Sequence, residues 1–97
     1  MTPAFAVLTT RHFDRLAHAL RKQHPSVFGA QFAATLAILR KDPHNRTRQH
    51  AIKKLQSVAL GEGQYRIRLG RWRFRYDISG TEVMLRWCGL SREDTYR

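Results

Sequence analysis

The chain has 97 residues, of which 42% are hydrophobic and 26% are charged. This length supports a single domain with one core over residues 1–97, and it excludes large folds such as a TIM barrel or a protein kinase. Lysine and arginine number 18 against 7 acidic residues, which gives a formal net charge of +11, and 14 of the 18 are arginine. Because the guanidinium group matches phosphate geometry, this composition predicts a polyanionic partner.

Three features lead us to expect a cytoplasmic protein. The single cysteine, Cys88, has no second cysteine with which to form an internal disulfide. No apolar run approaches the roughly 20 residues of a membrane-spanning helix. The apolar run at residues 4–8 is also shorter than the core of a signal peptide, and no basic residue precedes it.

The chain begins with a predicted strand and a predicted helix. Residues 4–9 favour a short strand, and Thr9 or Thr10 can cap the helix that follows. The apolar side chains of that helix recur at helical spacing: they are Phe13, Leu16, Ala17 and Leu20.

A second amphipathic helix is predicted over residues 26–41, after Pro25 interrupts the first. Ser26 is placed to cap this helix, and Asp42 with Pro43 ends it. Its apolar stripe consists of Phe28, Phe32, Leu36 and Leu39. Two such helices joined by a short turn predict an antiparallel pair.

The sequence does not predict a single secondary structure for residues 43–63. Ala51, Ile52 and Leu55 fit one face of a helix or an extended segment equally well, and Gly61-Glu62-Gly63 marks a turn.

From residue 65 onward the apolar residues alternate, which predicts an antiparallel meander of three strands at 65–69, 72–78 and 83–88. One side of this sheet is apolar, with Tyr65, Ile67, Leu69, Trp72, Phe74, Tyr76, Ile78, Val83, Leu85 and Trp87. The other side, which we call the arginine face, carries Arg66, Arg68, Arg73, Arg75 and Arg86, together with Asp77, Met84 and Cys88. The predicted fold class is therefore α+β, in the order β-α-α-β-β-β, with two helices packed on a small antiparallel sheet.

The arginine face is the strongest functional signal in the sequence, since five of the ten residues from 66 to 75 are arginine. Such a face cannot form a core, because burying unpaired charge is very costly. We favour a phosphate-binding surface, and the alternative is a solvated basic face. Arg73 lies in the middle strand, and we expect it on the solvent side between Arg66 or Arg68 and Arg86.

The sequence gives weaker indications of a functional role for the histidines and the cysteine. His12, His18 and His24 are six residues apart on a helix and cannot converge on a metal ion, so we expect no metal and no cofactor. His50 is a candidate proton donor near the arginine face, and we expect Cys88 to be a buried structural thiol.

The C-terminal segment contains a further candidate. Tyr96, between Arg92 and Arg97, either stacks on a nucleic-acid base or packs over the edge of the sheet.

Three segments together resemble the RelE/ParE superfamily of toxins from toxin–antitoxin systems. They are Ile52-Lys53-Lys54-Leu55, the stretch from Gly63 to Ile78 that contains Trp72-Arg73-Phe74-Arg75-Tyr76, and Arg92-Glu93-Asp94-Thr95-Tyr96-Arg97. The resemblance implies a single RelE/ParE-like domain and, in the RelE branch, an endoribonuclease that cuts mRNA in the ribosomal A site and inhibits translation. It also implies an acidic antitoxin as partner, and the ribosome and mRNA as targets.

The resemblance assigns roles to particular residues. By position, the catalytic set is Arg66, Arg68, Arg73 and Tyr96. Further contacts with RNA are expected from Lys53, Lys54, Arg71, Arg75, Arg86, Arg92 and Arg97.

Two departures from the RelE pattern leave the general base unassigned. Arg66 and Arg68 stand where RelE has lysines, and Leu90 stands where it has a second catalytic arginine. Because arginine is a poor base, two alternatives stay open. One is a ParE-like poison of DNA gyrase without its own catalysis, and the other is a non-catalytic RNA-binding module.

Overall fold

The computed structural model describes residues 4–91, and the predicted roles of Arg92, Tyr96 and Arg97 lie outside these residues. Two helices and five strands follow one another in the order β1-α1-α2-β2-β3-β4-β5 over this range. They are β1 (Ala6–Thr9), α1 (Arg11–Gln23), α2 (Phe28–Lys41), β2 (Ile52–Lys54), β3 (Tyr65–Leu69), β4 (Trp72–Ser79) and β5 (Glu82–Leu90). None of the described helices is long and apolar enough to cross a bilayer.

Helix α1 begins as predicted. Thr10 has an extended backbone, and its hydroxyl accepts a hydrogen bond of 3.0 Å from the backbone N–H of Phe13. Phe13 and Ala17 are buried, and Leu16 and Leu20 pack beside them, so the predicted apolar stripe is the one that faces the core.

Helix α2 begins two residues later than the sequence predicts, and Ser26 does not cap it. The backbone N–H groups of Val27 and Phe28 both donate to the carbonyl of His24, so the turn through Pro25 satisfies them without a side-chain cap. The predicted stripe is nevertheless correct, because Phe28 and Leu39 are fully buried and the other two members pack on the same core.

The sheet has the strand order β1-β5-β4-β3-β2. The α+β class is confirmed, but the sheet is mixed because β1 pairs with β5 in parallel. The ambiguous segment is partly extended: β2 pairs antiparallel with β3, which places Ile52 opposite Ile67.

A β-bulge in the β4–β5 pair changes which side chains face the core. Arg75 is opposite Trp87 and Tyr76 is opposite Leu85, so Arg86 is the extra residue of β5. An extra residue reverses the alternation of everything after it. The sequence prediction was therefore wrong for two residues: Cys88 faces the core opposite Phe74, and Trp87 joins the arginine face.

Candidate functional site: a cavity on the arginine face

A cavity of about 570 Å³ opens on the arginine face. It lies between the β1–α1 junction, the loop that precedes β3, and strands β3, β4 and β5. Its lining residues are Thr10, His12, Leu55, Gly61, Glu62, Arg66, Arg73, Arg75, Arg86, Trp87, Leu90 and Ser91. Among the described residues that line it, four arginines stand against one carboxylate, and this positive charge attracts anions.

The strand register arranges the basic residues in two adjacent rows. The first row crosses the sheet from Lys53 through Arg66 and Arg75 to Trp87. The second contains Arg68, Arg73 and Gly89.

Arg73 is much less accessible than expected. It is only 9% exposed, whereas we expected it on the solvent side. Its neighbour on β3 is Arg68, as predicted, but its neighbour on β5 is Gly89 and not Arg86. The bulge moves Arg86 away from this register, and a glycine takes the opposite position.

Asp77 fixes both the loop and one arginine of the cavity. This side chain is 2% exposed, and its carboxylate accepts hydrogen bonds from the backbone N–H groups of Gly61, Gly63 and Gln64 at 2.9–3.2 Å. It also accepts a hydrogen bond of 2.8 Å from Nε of Arg86. Burial opposes ionisation, but these hydrogen bonds outweigh it and hold the pKa of Asp77 below its ordinary value.

Arg75 holds the same loop from the other side. Its Nε and Nη2 both donate to the carbonyl of Gly63, at 3.1 and 2.9 Å. Gly63 has φ +84°, and a Cβ atom there would lie 3.0 Å from Cβ of Arg75. Glycine is therefore required at this close approach, and both Arg75 and Arg86 are positioned by acceptors of the protein itself.

Among the described residues, one member of the predicted catalytic set, Arg68, and three predicted RNA-binding residues, Lys53, Lys54 and Arg71, do not line the cavity. Arg68 and Arg71 are exposed on β3 and in the β3–β4 turn. Lys53 is the register partner of Arg66 and lies on the arginine face. Lys54 is the register partner of Tyr65 and belongs to the opposite face, where its Nζ lies 5.7 Å from the centre of the Tyr65 ring.

Sequence reasoning missed three residues that line or organise the cavity. Only the tertiary fold brings His12 there, because α1 starts where β1 ends beside β5. Trp87 was assigned to the wrong face because a bulge has no clear signature in an alternating pattern. Asp77 interrupts a series of arginines, and that interruption was the one available signal for a carboxylate that holds the face together.

Two candidates lie apart from the cavity. The Nε2 atom of His50 is 3.9 Å from Oδ2 of Asp42. The backbone N–H and carbonyl of His50 form hydrogen bonds with the side chain of Asn45, so His50 is not near the arginine face. The loop after α2 folds back onto Asp42, which explains this position. Cys88 is 2% exposed, and burial raises its pKa to about 12, as expected of a structural thiol. Within residues 4–91 no three metal-binding side chains cluster.

Comparison with known proteins finds similarity in structure and none in sequence. No protein-family model matches the chain, and no curated protein is similar to it in sequence. Its structure is similar to a chain in the crystal structure of the RelB-RelE antitoxin-toxin complex from Methanococcus jannaschii. The two share 17% identity and a TM-score of 0.47, over 86% of this chain and 88% of the other.

Proposed function

We propose that this protein binds single-stranded RNA in the arginine-face cavity and acts as a ribosome-dependent mRNA endonuclease, the toxin of a toxin–antitoxin module. The observation that carries the proposal is the convergence of Arg66, Arg73, Arg75, Arg86 and Trp87 on one cavity. The resemblance of the surrounding sequence to RelE supports the choice of reaction.

The proposed reaction breaks one phosphodiester bond. The ribose 2′-oxygen attacks the adjacent phosphorus and loses its proton, while the 5′-oxygen leaves and gains one, so that a 2′,3′-cyclic phosphate forms. Arg66 and Arg73 stabilise the charge that develops on the phosphoryl oxygens. Arginine does not accept a proton, so we assign removal of the 2′-hydroxyl proton to His12, the one histidine among the described residues that line the cavity. A water molecule supplies the proton that the departing 5′-oxygen gains.

The test is to add the purified protein to a translation reaction and to map the 5′ ends of the mRNA. In parallel, the protein is incubated with DNA gyrase and supercoiled plasmid. New mRNA ends that require ribosomes support the proposal. Gyrase-dependent DNA breaks with intact mRNA would establish the gyrase poison instead, and RNA binding without cleavage would establish a non-catalytic module.

The salt dependence of RNA binding checks the electrostatic part of the proposal. We expect the affinity to fall as salt rises, with a logarithmic slope of about −0.7 for each phosphate that is neutralised. Replacing Arg66 by alanine should make that slope shallower by about 0.7. Arg15 is exposed on α1 and does not line the cavity, so Arg15→Ala is the charge-matched control and should leave the slope unchanged. If the RNA affinity of the unmodified protein does not change with salt, the arginine face is a solvated surface and does not bind phosphates.

An acidic antitoxin is the partner that the proposed function requires. A protein with a net charge of +11 binds nucleic acids indiscriminately, so a cell that keeps it must mask its basic face. We expect a small acidic protein encoded beside it to co-purify with it and to relieve growth arrest. Failure on both counts contradicts this part of the proposal.

A further inference from the structure

The chain has two tryptophans, and they have different environments. Trp72 is 5% exposed and belongs to the core, where it packs on Phe28. Trp87 is half-buried and lines the arginine-face cavity. The bulge at Arg86 is what places Trp87 there, since without it the indole would continue the apolar series of Val83 and Leu85.

Gly89 fixes the position of this indole. A Cβ atom at residue 89 would lie 2.5 Å from Cη2 and 2.6 Å from Cζ2 of Trp87, distances that real side chains do not adopt. The six-membered ring therefore lies against the backbone of residue 89, in space that only glycine leaves open. Because Gly89 is the register partner of Arg73, the ring extends from the first basic row into the second.

We propose that Trp87 is a stacking surface for one base of the bound strand, with Arg75 and Arg73 beside it to bind the flanking phosphates. This inference rests on the proposed function, because it requires a nucleic acid in the cavity. An aromatic ring beside a cationic groove is the arrangement that binds single strands, since every base has a face on which to stack. Among the described residues that line the cavity, Trp87 is the one tryptophan, tyrosine or phenylalanine.

Two ligands with equal charge separate stacking from electrostatic attraction. One is a short single-stranded RNA, and the other is the ribose-phosphate oligomer of the same length without bases. The protein should prefer the RNA, and Trp87→Ala should lower its affinity for RNA by about 5- to 150-fold. The same variant should bind the abasic oligomer as the unmodified protein does, with an unchanged salt slope.

Three further variants distinguish a loss of stacking from a folding defect. Trp87→Phe keeps an aromatic face and should retain most of the preference for bases. Gly89→Ala keeps the indole but displaces it, so it should lose the preference while Gly29→Ala, at a position with nothing within 4 Å, should not. Thermal melts of all four variants identify any that fail to fold.

The outcomes separate the two proposals. RNA binding that is salt-dependent but equally strong for both ligands, or unchanged by Trp87→Ala, would overturn stacking and leave the proposed function standing. Absence of RNA binding by the unmodified protein would overturn both. Quenching of tryptophan fluorescence by RNA, lost in Trp87→Phe, is the result that supports stacking directly.

Discussion

Replacing Arg73 by glutamine should lower the rate of mRNA cleavage by about 100- to 1,000-fold. Arg73 is 9% exposed, lies between Arg68 and Gly89 in the sheet and lines the cavity, so its side chain is largely removed from solvent there. A donor fixed where charge develops in the transition state contributes about 2.7–4 kcal/mol. Glutamine keeps most of the stem that fills this buried position and removes the charge.

Two further variants show whether the loss of rate comes from Arg73 itself. Arg15→Gln makes the same change of charge outside the cavity and should cleave normally. Arg73→Lys should recover part of the rate, because one ammonium cannot reproduce the planar fork of arginine. Each protein is compared by ribosome-dependent cleavage and by a thermal melt. Full cleavage activity in the folded Arg73→Gln variant would show that Arg73 takes no part in the reaction.

Replacing Asp77 by alanine should lower the free energy of unfolding by about 3–5 kcal/mol. The change leaves three backbone N–H groups of the 61–64 loop and the guanidinium of Arg86 without their shared acceptor. Denaturant unfolding measures the loss. Glu62→Ala removes an exposed carboxylate of the same loop, and its effect should stay within about 0.5 kcal/mol. Similar stabilities for the two variants would show that Asp77 does not hold the loop.

The stability gap between Asp77→Ala and the unmodified protein should depend on pH. The pKa of Asp77 in the folded chain is below its ordinary value of 3.8. Its contribution is therefore complete above that value and is lost as the pH falls through the folded pKa. The gap should be constant from about pH 8 to pH 5 and should narrow only in acid below 3.8. A gap that already closes at neutral pH would contradict the assignment.

Much of the fold follows from local patterns in the sequence. The stripes of α1 and α2 and the alternation in β3 and β4 each depend on spacing along one segment, and the structure confirms them. The cap at Thr10 is equally local. Strand β2 has three residues, too few for alternation to distinguish it from a helical turn, so only its pairing with β3 defines it.

The sequence predicts which arginines share one face of the sheet, but it does not predict how they are positioned around the cavity. Alternation places arginines on one face, but the contacts that position them join residues far apart in the chain, such as Asp77 with Gly61 and Thr10 with Leu85. One extra residue in β5 then exchanges the faces of Trp87 and Cys88 and replaces Arg86 with Gly89 beside Arg73. Local periodicity contains no information about such a bulge, because it arises from the pairing of two strands.

Photo-crosslinking of a short single-stranded RNA to the unmodified protein, followed by identification of the linked peptides, tests directly whether RNA binds in the arginine-face cavity. We predict crosslinks in the segments that line the arginine-face cavity, residues 61–75 and 86–91, with a loss of those crosslinks at high salt. Crosslinks confined to the basic residues of α1 and α2, with none in these segments, would contradict it.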